Sequence, residues 1–95
     1  MTIKLEDYQE MAELLKVLAH PVRLCIVHGL WHHGACNVSH MQECLETPQS
    51  TISQHLQKLR AAGIIAGERR GTEVVYRVVD ERVKAMLELW QNEEG

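Results

Sequence analysis

Residues 38–62 carry the sequence VSHMQECLETPQSTISQHLQKLRAA, and this stretch decides the fold. Its first part, Val38–Leu45, predicts a short helix, followed by a turn at Glu46-Thr47. Its second part predicts a helix from Pro48 to Ala62. Thr47 suits the N-cap and Pro48 the first helical position, while Gly63 suits the left-handed residue past the end. Two helices joined by a tight turn are therefore expected.

The second helix has one apolar face, and its other side chains are mostly polar. The inward positions fall at helical spacing, at Ile52, Leu56, Leu59 and Ala62. Short or amide side chains and two cations remain outside, which suits hydrogen bonding to base edges and contact with phosphates in a major groove. We therefore predict a DNA-binding helix-turn-helix over about residues 38–62, with DNA contacts from Gln49, Ser50, Thr51, Ser53, Gln54, His55, Lys58 and Arg60.

After Gly63 the apolar pattern changes to a period of two. It predicts strands at Ile64–Glu68 and Glu73–Val79, joined by the polar tip Arg69-Arg70-Gly71-Thr72. Such a hairpin is a wing over about residues 64–79. Its polar side chains are expected to contact a phosphate or the minor groove: Arg69, Arg70, Thr72 and Arg77.

Amphipathic helices flank this unit at both ends of the chain. The first covers Leu5–Leu18, the second begins at Pro21, and the last runs from Glu81 to about Asn92 after an Asp80 cap. The apolar stripes of the first and last helices exceed what one small core needs. We therefore expect a homodimer formed through residues of about 5–18 and 81–92, namely Leu5, Tyr8, Ala12, Leu15, Val83, Met86, Leu87 and Trp90.

The predicted architecture is mainly α with a two-stranded β-wing, in the order α-α-α-α-β-β-α. With 95 residues the chain has room for one domain, residues 1–95. Its apolar runs are too short for a membrane span, and Met1–Glu10 carries three acidic residues, unlike a signal peptide. Three cysteines without a CxxC pair argue against a disulfide framework. We expect a cytoplasmic protein with no membrane partner and no cofactor.

The net charge is −3, but it is unevenly distributed. Residues 47–79 hold five basic and two acidic side chains, a local charge of +3, and each flanking segment carries −3. Because phosphate contact depends on the local patch, double-stranded DNA is still the expected partner.

Four blocks of this sequence together resemble the ArsR/SmtB family of winged helix-turn-helix repressors. They are Leu18-Ala19-His20-Pro21-Val22-Arg23-Leu24, residues 48–56 (PQSTISQHL), residues 59–65 (LRAAGII) and residues 70–76 (RGTEVVY). The resemblance covers about residues 14–79. It implies a dimer formed by the first and last helices, which represses transcription by occupying an operator. Members usually release DNA when a metal ion, metalloid or oxidant binds.

The ligands of the family's usual metal sites are missing. Asn37 and Ser39 stand where the third-helix cysteines would be, and the last helix starts Asp80-Glu81-Arg82, where arginine cannot bind a metal. No metal site is therefore predicted. A cluster of His28, His32, His33 and Cys36 leaves open a metal-responsive repressor with a non-standard site.

The cysteines suggest a second kind of signal. Cys36, expected in a loop after Gly34, is predicted to be the most reactive thiol and a candidate redox site, whereas Cys25 is predicted to be buried and Cys44 partly buried. A regulator with no small-molecule signal is an equal alternative.

Two other functional classes are less well supported by the sequence. No catalytic constellation or phosphate loop points to an enzyme. A winged-helix protein–protein interaction module is the stronger alternative, because the fold alone does not dictate DNA binding. The polar face of residues 48–62 favours DNA, since an interaction module tends to present apolar or acidic groups there.

Overall fold

A computed structural model describes the backbone of residues 3–94 and the side chains of residues 3–91. Five helices and three strands follow one another along this part of the chain. They are α1 (Glu6–Leu18), α2 (Pro21–His33), β1 (Cys36–Asn37), α3 (Val38–Leu45), α4 (Gln49–Ala61), β2 (Ile65–Arg70), β3 (Glu73–Val78) and α5 (Glu81–Glu94). The fold is a winged helix-turn-helix, as predicted.

One apolar core joins all five helices to the sheet. Helix α4 contributes Ile52, Leu56 and Leu59, the inward stripe that its spacing predicts. The other buried apolar side chains come from every remaining helix and from the wing: Leu14, Leu18, Ile26, Val27, Leu30, Met41, Ile64, Ile65, Tyr76, Val78, Val83 and Leu87. The helix-turn-helix is therefore held in place by the domain core.

The turn between α3 and α4 is built differently from the prediction. Thr47 does not cap α4, because its Oγ1 donates to the carbonyl of Leu45 at 3.1 Å. Pro48 occupies the cap position with extended backbone, so the helix begins at Gln49 and not at Pro48. Glu46 takes the left-handed conformation with a φ of 52°. Beyond the helix, Gly63 is left-handed as predicted, with a φ of 75°.

The sheet has three strands in the order β1-β3-β2, so the predicted two-stranded wing is incomplete. The extra strand, β1, pairs Cys36 with Tyr76 and Asn37 with Val75. Two residues cannot show an alternating pattern, which explains why periodicity missed this strand. Asn37 also caps α3, since its side-chain oxygen accepts a hydrogen bond from the His40 amide at 2.9 Å.

The wing hairpin is longer than predicted. Strands β2 and β3 remain paired out to Arg70 and Glu73, which leaves Gly71-Thr72 as a two-residue turn with Gly71 at a φ of 65°. Arg69 and Arg70 therefore lie at the end of a strand and not in the tip. This placement fixes their backbone more firmly than a loop does.

The structure corrects the dimer residues predicted on α1 and α5. Val83 and Leu87 are 0% and 1% exposed and belong to the core of the protomer. The predicted α1 residues Leu5, Tyr8, Ala12 and Leu15 are exposed, and Leu14 and Leu18 face the core. Each of these helices carries one apolar stripe that faces the core and a second that is exposed. The sequence pattern predicts a single stripe for each helix and so does not separate the two.

Within residues 3–94 no single helix is long and apolar enough to cross a bilayer. The length and apolarity criteria are met only by α1 and α2 taken together, and these helices meet at 94°.

Asp80 caps α5 and joins it to Arg82. Its carboxylate accepts from the amides of Arg82 and Val83 at 2.9 and 3.1 Å and forms an ion pair with the Arg82 guanidinium at 2.9 Å. Arg82 also lies 3.4 Å from Glu10 of α1. The hydrogen bond from the Arg82 side chain, followed by the amide bonds, holds the pKa of Asp80 below its ordinary value, and burial opposes this shift.

Replacing Asp80 with alanine is expected to lower the free energy of unfolding by about 1 kcal/mol, the usual effect of losing an N-cap. The folded pKa lies below the unfolded value of about 3.9. The carboxylate therefore stabilises the fold above that value, and its contribution is lost as the pH falls through the folded pKa. Thermal unfolding at pH 7 and in acid should show a difference between wild type and variant that disappears in acid. Glu81→Ala, which removes a neighbouring exposed carboxylate, is the control, and an equal loss from Glu81→Ala would contradict the cap.

Candidate DNA-binding surface

The outer face of α4 presents a continuous polar surface. Gln49, Ser50, Ser53, Gln54 and Gln57 are exposed, with Lys58 and Arg60 towards the C-terminal end. Within residues 3–91 the side chains of this face form no hydrogen bond with another part of the chain. Their donors and acceptors therefore point to solvent and can pair with base edges or phosphates.

Two predicted contact residues of α4 are less accessible than expected. Thr51 and His55 are both half-buried. The His55 ring lies 4.7 Å from the His20 ring, centroid to centroid, and so faces the start of α2. His55 is thus placed beside the core, while the predicted residues of α4 other than Thr51 and His55 lie on the exposed face.

The cationic side chains of the wing lie exposed on strands β2 and β3. Glu68 accepts from Arg70 and from Arg77, each at 3.4 Å, so two arginines share one carboxylate. Arg69 forms no ion pair with any of residues 3–91. The wing therefore keeps net positive charge, with Arg69 the arginine most available to a phosphate.

The exposed large apolar side chains gather at the two ends of the chain. Leu5 is 88% exposed and Leu89 is 70% exposed. The others lie on α1, on the residue stretch before it, or on α5: Ile3, Tyr8, Met11, Leu15, Met86 and Trp90. Sequence reasoning missed Met11 and Leu89, because each helix was assigned one apolar stripe where it has two. A group of large exposed apolar side chains on the terminal helices is typical of an interface.

The cysteines are placed differently from the prediction. Cys25 and Cys44 are exposed, and Cys36 lies in β1, half-buried. Burial, followed by the neighbouring Cys44, raises the pKa of the Cys36 thiol. Cys36 is therefore less accessible than Cys25 and Cys44, contrary to the expectation, and its raised pKa disfavours the thiolate, which is the reactive form.

All three cysteines line one cavity of about 190 Å³ between α2, β1 and α3, together with His28, His33 and His40. His28, His33 and Cys36 of the predicted cluster of possible metal ligands therefore line this cavity. Within the described part of the chain, however, no three histidine, cysteine or carboxylate groups are placed to hold one metal ion. The His28 ring instead packs 4.7 Å from the Trp90 ring and 6.2 Å from the Trp31 ring.

Comparison with known proteins places this surface in a family. A family model described as a helix-turn-helix domain matches residues 18–68. The transcriptional repressor PagR of Bacillus anthracis is 40% identical over 87 residues, which are 92% of this chain and 87% of that protein. The HTH-type transcriptional repressor SmtB of Mycobacterium tuberculosis is 46% identical over 71 residues, which are 75% of this chain and 52% of that protein.

Solved structures agree with the sequence matches. The crystal structure of PagR of Bacillus anthracis superposes with a TM-score of 0.81 at 39% identity, covering 92% of this chain and 99% of that chain. Reduced HlyU from Vibrio cholerae superposes with a TM-score of 0.86 at 32% identity, covering 92% and 90%. The likeness therefore extends beyond the matched helix-turn-helix to more than nine-tenths of the chain.

Proposed function

The chain belongs to the ArsR/SmtB family of DNA-binding transcriptional regulators, and from this membership we propose that it is a homodimeric repressor of a palindromic operator. Helix α4 enters the major groove, and the wing arginines Arg69 and Arg70 contact a phosphate or the minor groove. Thr72, at the hairpin turn, lies beside them. Two copies of α4 then contact half-sites about 10 base pairs apart, or a multiple of that, on one face of the duplex.

The observation that carries this proposal is the exposed polar face of α4. It combines amide and hydroxyl side chains with cations near its C-terminal end, and the large apolar residues of the helix, Ile52, Leu56 and Leu59, are buried in the core. A protein–protein interaction module, the alternative function, would need apolar or acidic groups on that face. Repression is supported by the names of the relatives, several of which are called repressors.

The dimer is supported by the position of the exposed apolar residues. They lie on α5, on α1 and on the residues just before α1, and none of them lies on α4, so a second copy can cover them and leave both recognition helices free. We propose that Leu5, Tyr8, Ala12, Leu15, Met86, Leu89 and Trp90 form this interface. Val83 and Leu87 are left out because they belong to the protomer core.

The salt dependence of binding tests the DNA proposal. A duplex selected by the protein from a randomised pool is titrated at several salt concentrations, and the slope of log affinity against log salt is measured. For Arg69→Ala/Arg70→Ala the slope should become shallower by about 0.9 per lost phosphate contact, or about 3.6 for a dimer. Affinity should also fall to a similar extent on unrelated duplexes, because phosphates carry no sequence information.

Lys16→Ala/Lys84→Ala is the matched control, because it removes the same charge from helices outside the proposed surface. Its slope should equal that of wild type. An equal change in both double variants would indicate a general charge effect, and a flat salt response of the wild type would favour the interaction module.

A further inference from the structure

Two histidines far apart in sequence meet where the recognition helix packs against α2. The rings of His20 and His55 lie 4.7 Å apart, inclined at 53°. His20 is the N-cap of α2, and its Nδ1 accepts a hydrogen bond from the Val22 amide at 3.2 Å. That nitrogen therefore carries no proton in this arrangement, and protonating it would break the cap.

His55 has surroundings that disfavour a charge on its ring. Its Nδ1 is buried, and no group among residues 3–91 forms a hydrogen bond with it. The groups that face it are cationic or titratable to a cation: His20 and Arg23 from α2, and Lys58 from α4 itself. Arg23 is fixed near the end of α1, since it donates to the Val17 carbonyl at 3.0 Å.

Among residues 3–91, none of the charged groups that shift the pKa of His55 is a carboxylate. Helix α3 and strand β2 contribute apolar side chains to the shared core, namely Met41, Leu45 and Ile65. The nearby acidic groups of α1, Glu10 and Glu13, line an open cleft of about 600 Å³ that Arg23 and Lys58 also line. Lys16 and Arg82 line the same cleft, and Glu10 lies 3.4 Å from Arg82.

Burial, followed by His20, Arg23 and Lys58, lowers the pKa of His55. In the unfolded chain the ring titrates at about 6.5. At a pH between this unfolded pKa and the lower pKa of the folded protein, His55 binds a proton in the unfolded or displaced state but not in the packed state. The packed arrangement is therefore fully favoured above about pH 6.5 and becomes progressively less favoured as the pH falls.

We propose that His20 and His55 are a positioning pair, which must be neutral for α4 to hold the orientation in which Gln54 and its neighbours face DNA. Uptake of a proton by the pair pushes the middle of α4 away from the start of α2, and the operator is released in mild acid. This inference rests on the proposed DNA-binding function for its outcome. The packing of the two rings can be tested without DNA.

The first test follows the free protein by NMR between pH 8 and 5. The His55 ring should titrate below the value of an exposed histidine, and the amide signals of Gln49–Ala61 should shift along the same curve. His20→Asn keeps a capping side chain but removes the neighbouring ring, so the His55 titration should move towards the ordinary value. Amide signals of α4 that do not follow the ring, or an unchanged titration in His20→Asn, would overturn the proposal.

The second test measures affinity by fluorescence anisotropy for a duplex selected at pH 8, at constant salt. Between pH 8 and pH 5.5 the wild-type affinity should fall several-fold, by up to about tenfold for each protomer, since each excluded proton contributes at most a factor of ten per pH unit below about pH 6.5. His55→Gln should reduce this change to about twofold or less. His32→Gln, which removes an exposed histidine from α2, should keep the wild-type profile.

The two outcomes separate the two proposals. A His55→Gln variant that retains the wild-type pH profile overturns the positioning pair and leaves the DNA-binding proposal intact. A protein that selects no duplex contradicts the proposed function, and in that case the NMR titration still decides whether the pair sets the position of α4.

Discussion

Replacing Leu89 with lysine is expected to convert the proposed dimer to a monomer and to lower the affinity for the proposed operator by about 100-fold or more. Leu89 is 70% exposed on α5, so the protomer itself does not need this side chain. Burying one leucine contributes about 1.5–3 kcal/mol, and a symmetric interface buries it twice. Because about 1.4 kcal/mol corresponds to a factor of ten, the dimer constant should weaken by about 10² to 10⁴.

Sedimentation velocity at micromolar concentration measures the first effect, and a titration of the selected duplex measures the second. Glu88→Gln is the matched control, because it changes the net charge by the same +1 at the neighbouring exposed position of α5. The thermal unfolding midpoint of a monomeric Leu89→Lys protein should still indicate a folded chain. A Leu89→Lys protein that sediments as a dimer would place the interface elsewhere.

Replacing Gln54 with glutamate is expected to lower operator affinity by about 30-fold or more without affecting the fold. Gln54 is exposed at the middle of the outer face of α4. A bidentate contact with a base is worth about 1–3 kcal/mol, and a carboxylate there also lies among phosphates. Since Gln54 contacts solvent in the free protein, its replacement should leave the unfolding midpoint nearly unchanged.

Gln9→Glu makes the same chemical change on the exposed surface of α1 and serves as the control. Its affinity for the selected duplex should stay within about twofold of wild type, because one distant exposed charge is strongly screened. If Gln9→Glu weakens binding as much as Gln54→Glu, the loss reflects net charge and not contact through α4.

The helix-turn-helix could be predicted almost residue by residue, because its signals are local and strong. Helix α3 spans the predicted Val38–Leu45, and α4 differs from the prediction by one residue at each end. Gly63 and Gly71 adopt the left-handed conformations that their positions require. Apolar spacing also identified the buried face of α4, since a helix that packs on one side must carry such a stripe.

The errors concern features set by tertiary packing. A two-residue strand has no sequence pattern that predicts the pairing of Cys36 and Asn37 with β3. The burial of Val83 and Leu87 depends on how α5 is rotated against the core, and a helix with two apolar stripes does not specify this by itself. Cys25 lies among aliphatic residues and is nevertheless exposed, because only part of α2 faces the core.

The contact between His20 and His55 could not be predicted from the sequence either. His20 precedes the second predicted helix and His55 lies in the predicted recognition helix, and no local pattern indicates that the two rings meet. The sequence predicts a DNA contact for His55 because this residue lies among polar neighbours on α4. Only the packing of α4 against the start of α2 distinguishes it from the truly exposed Gln54.

Strand β1 has a consequence for the thermodynamics of binding. Asn37 pairs with Val75 of the wing and at the same time caps α3, so the hairpin and the helix-turn-helix are joined at a single residue. A hairpin tethered only at its base would have to be ordered when it meets a ligand, at a cost in conformational entropy. Here much of that ordering is already complete in the free protein, so the wing and α4 approach a duplex as one preorganised unit.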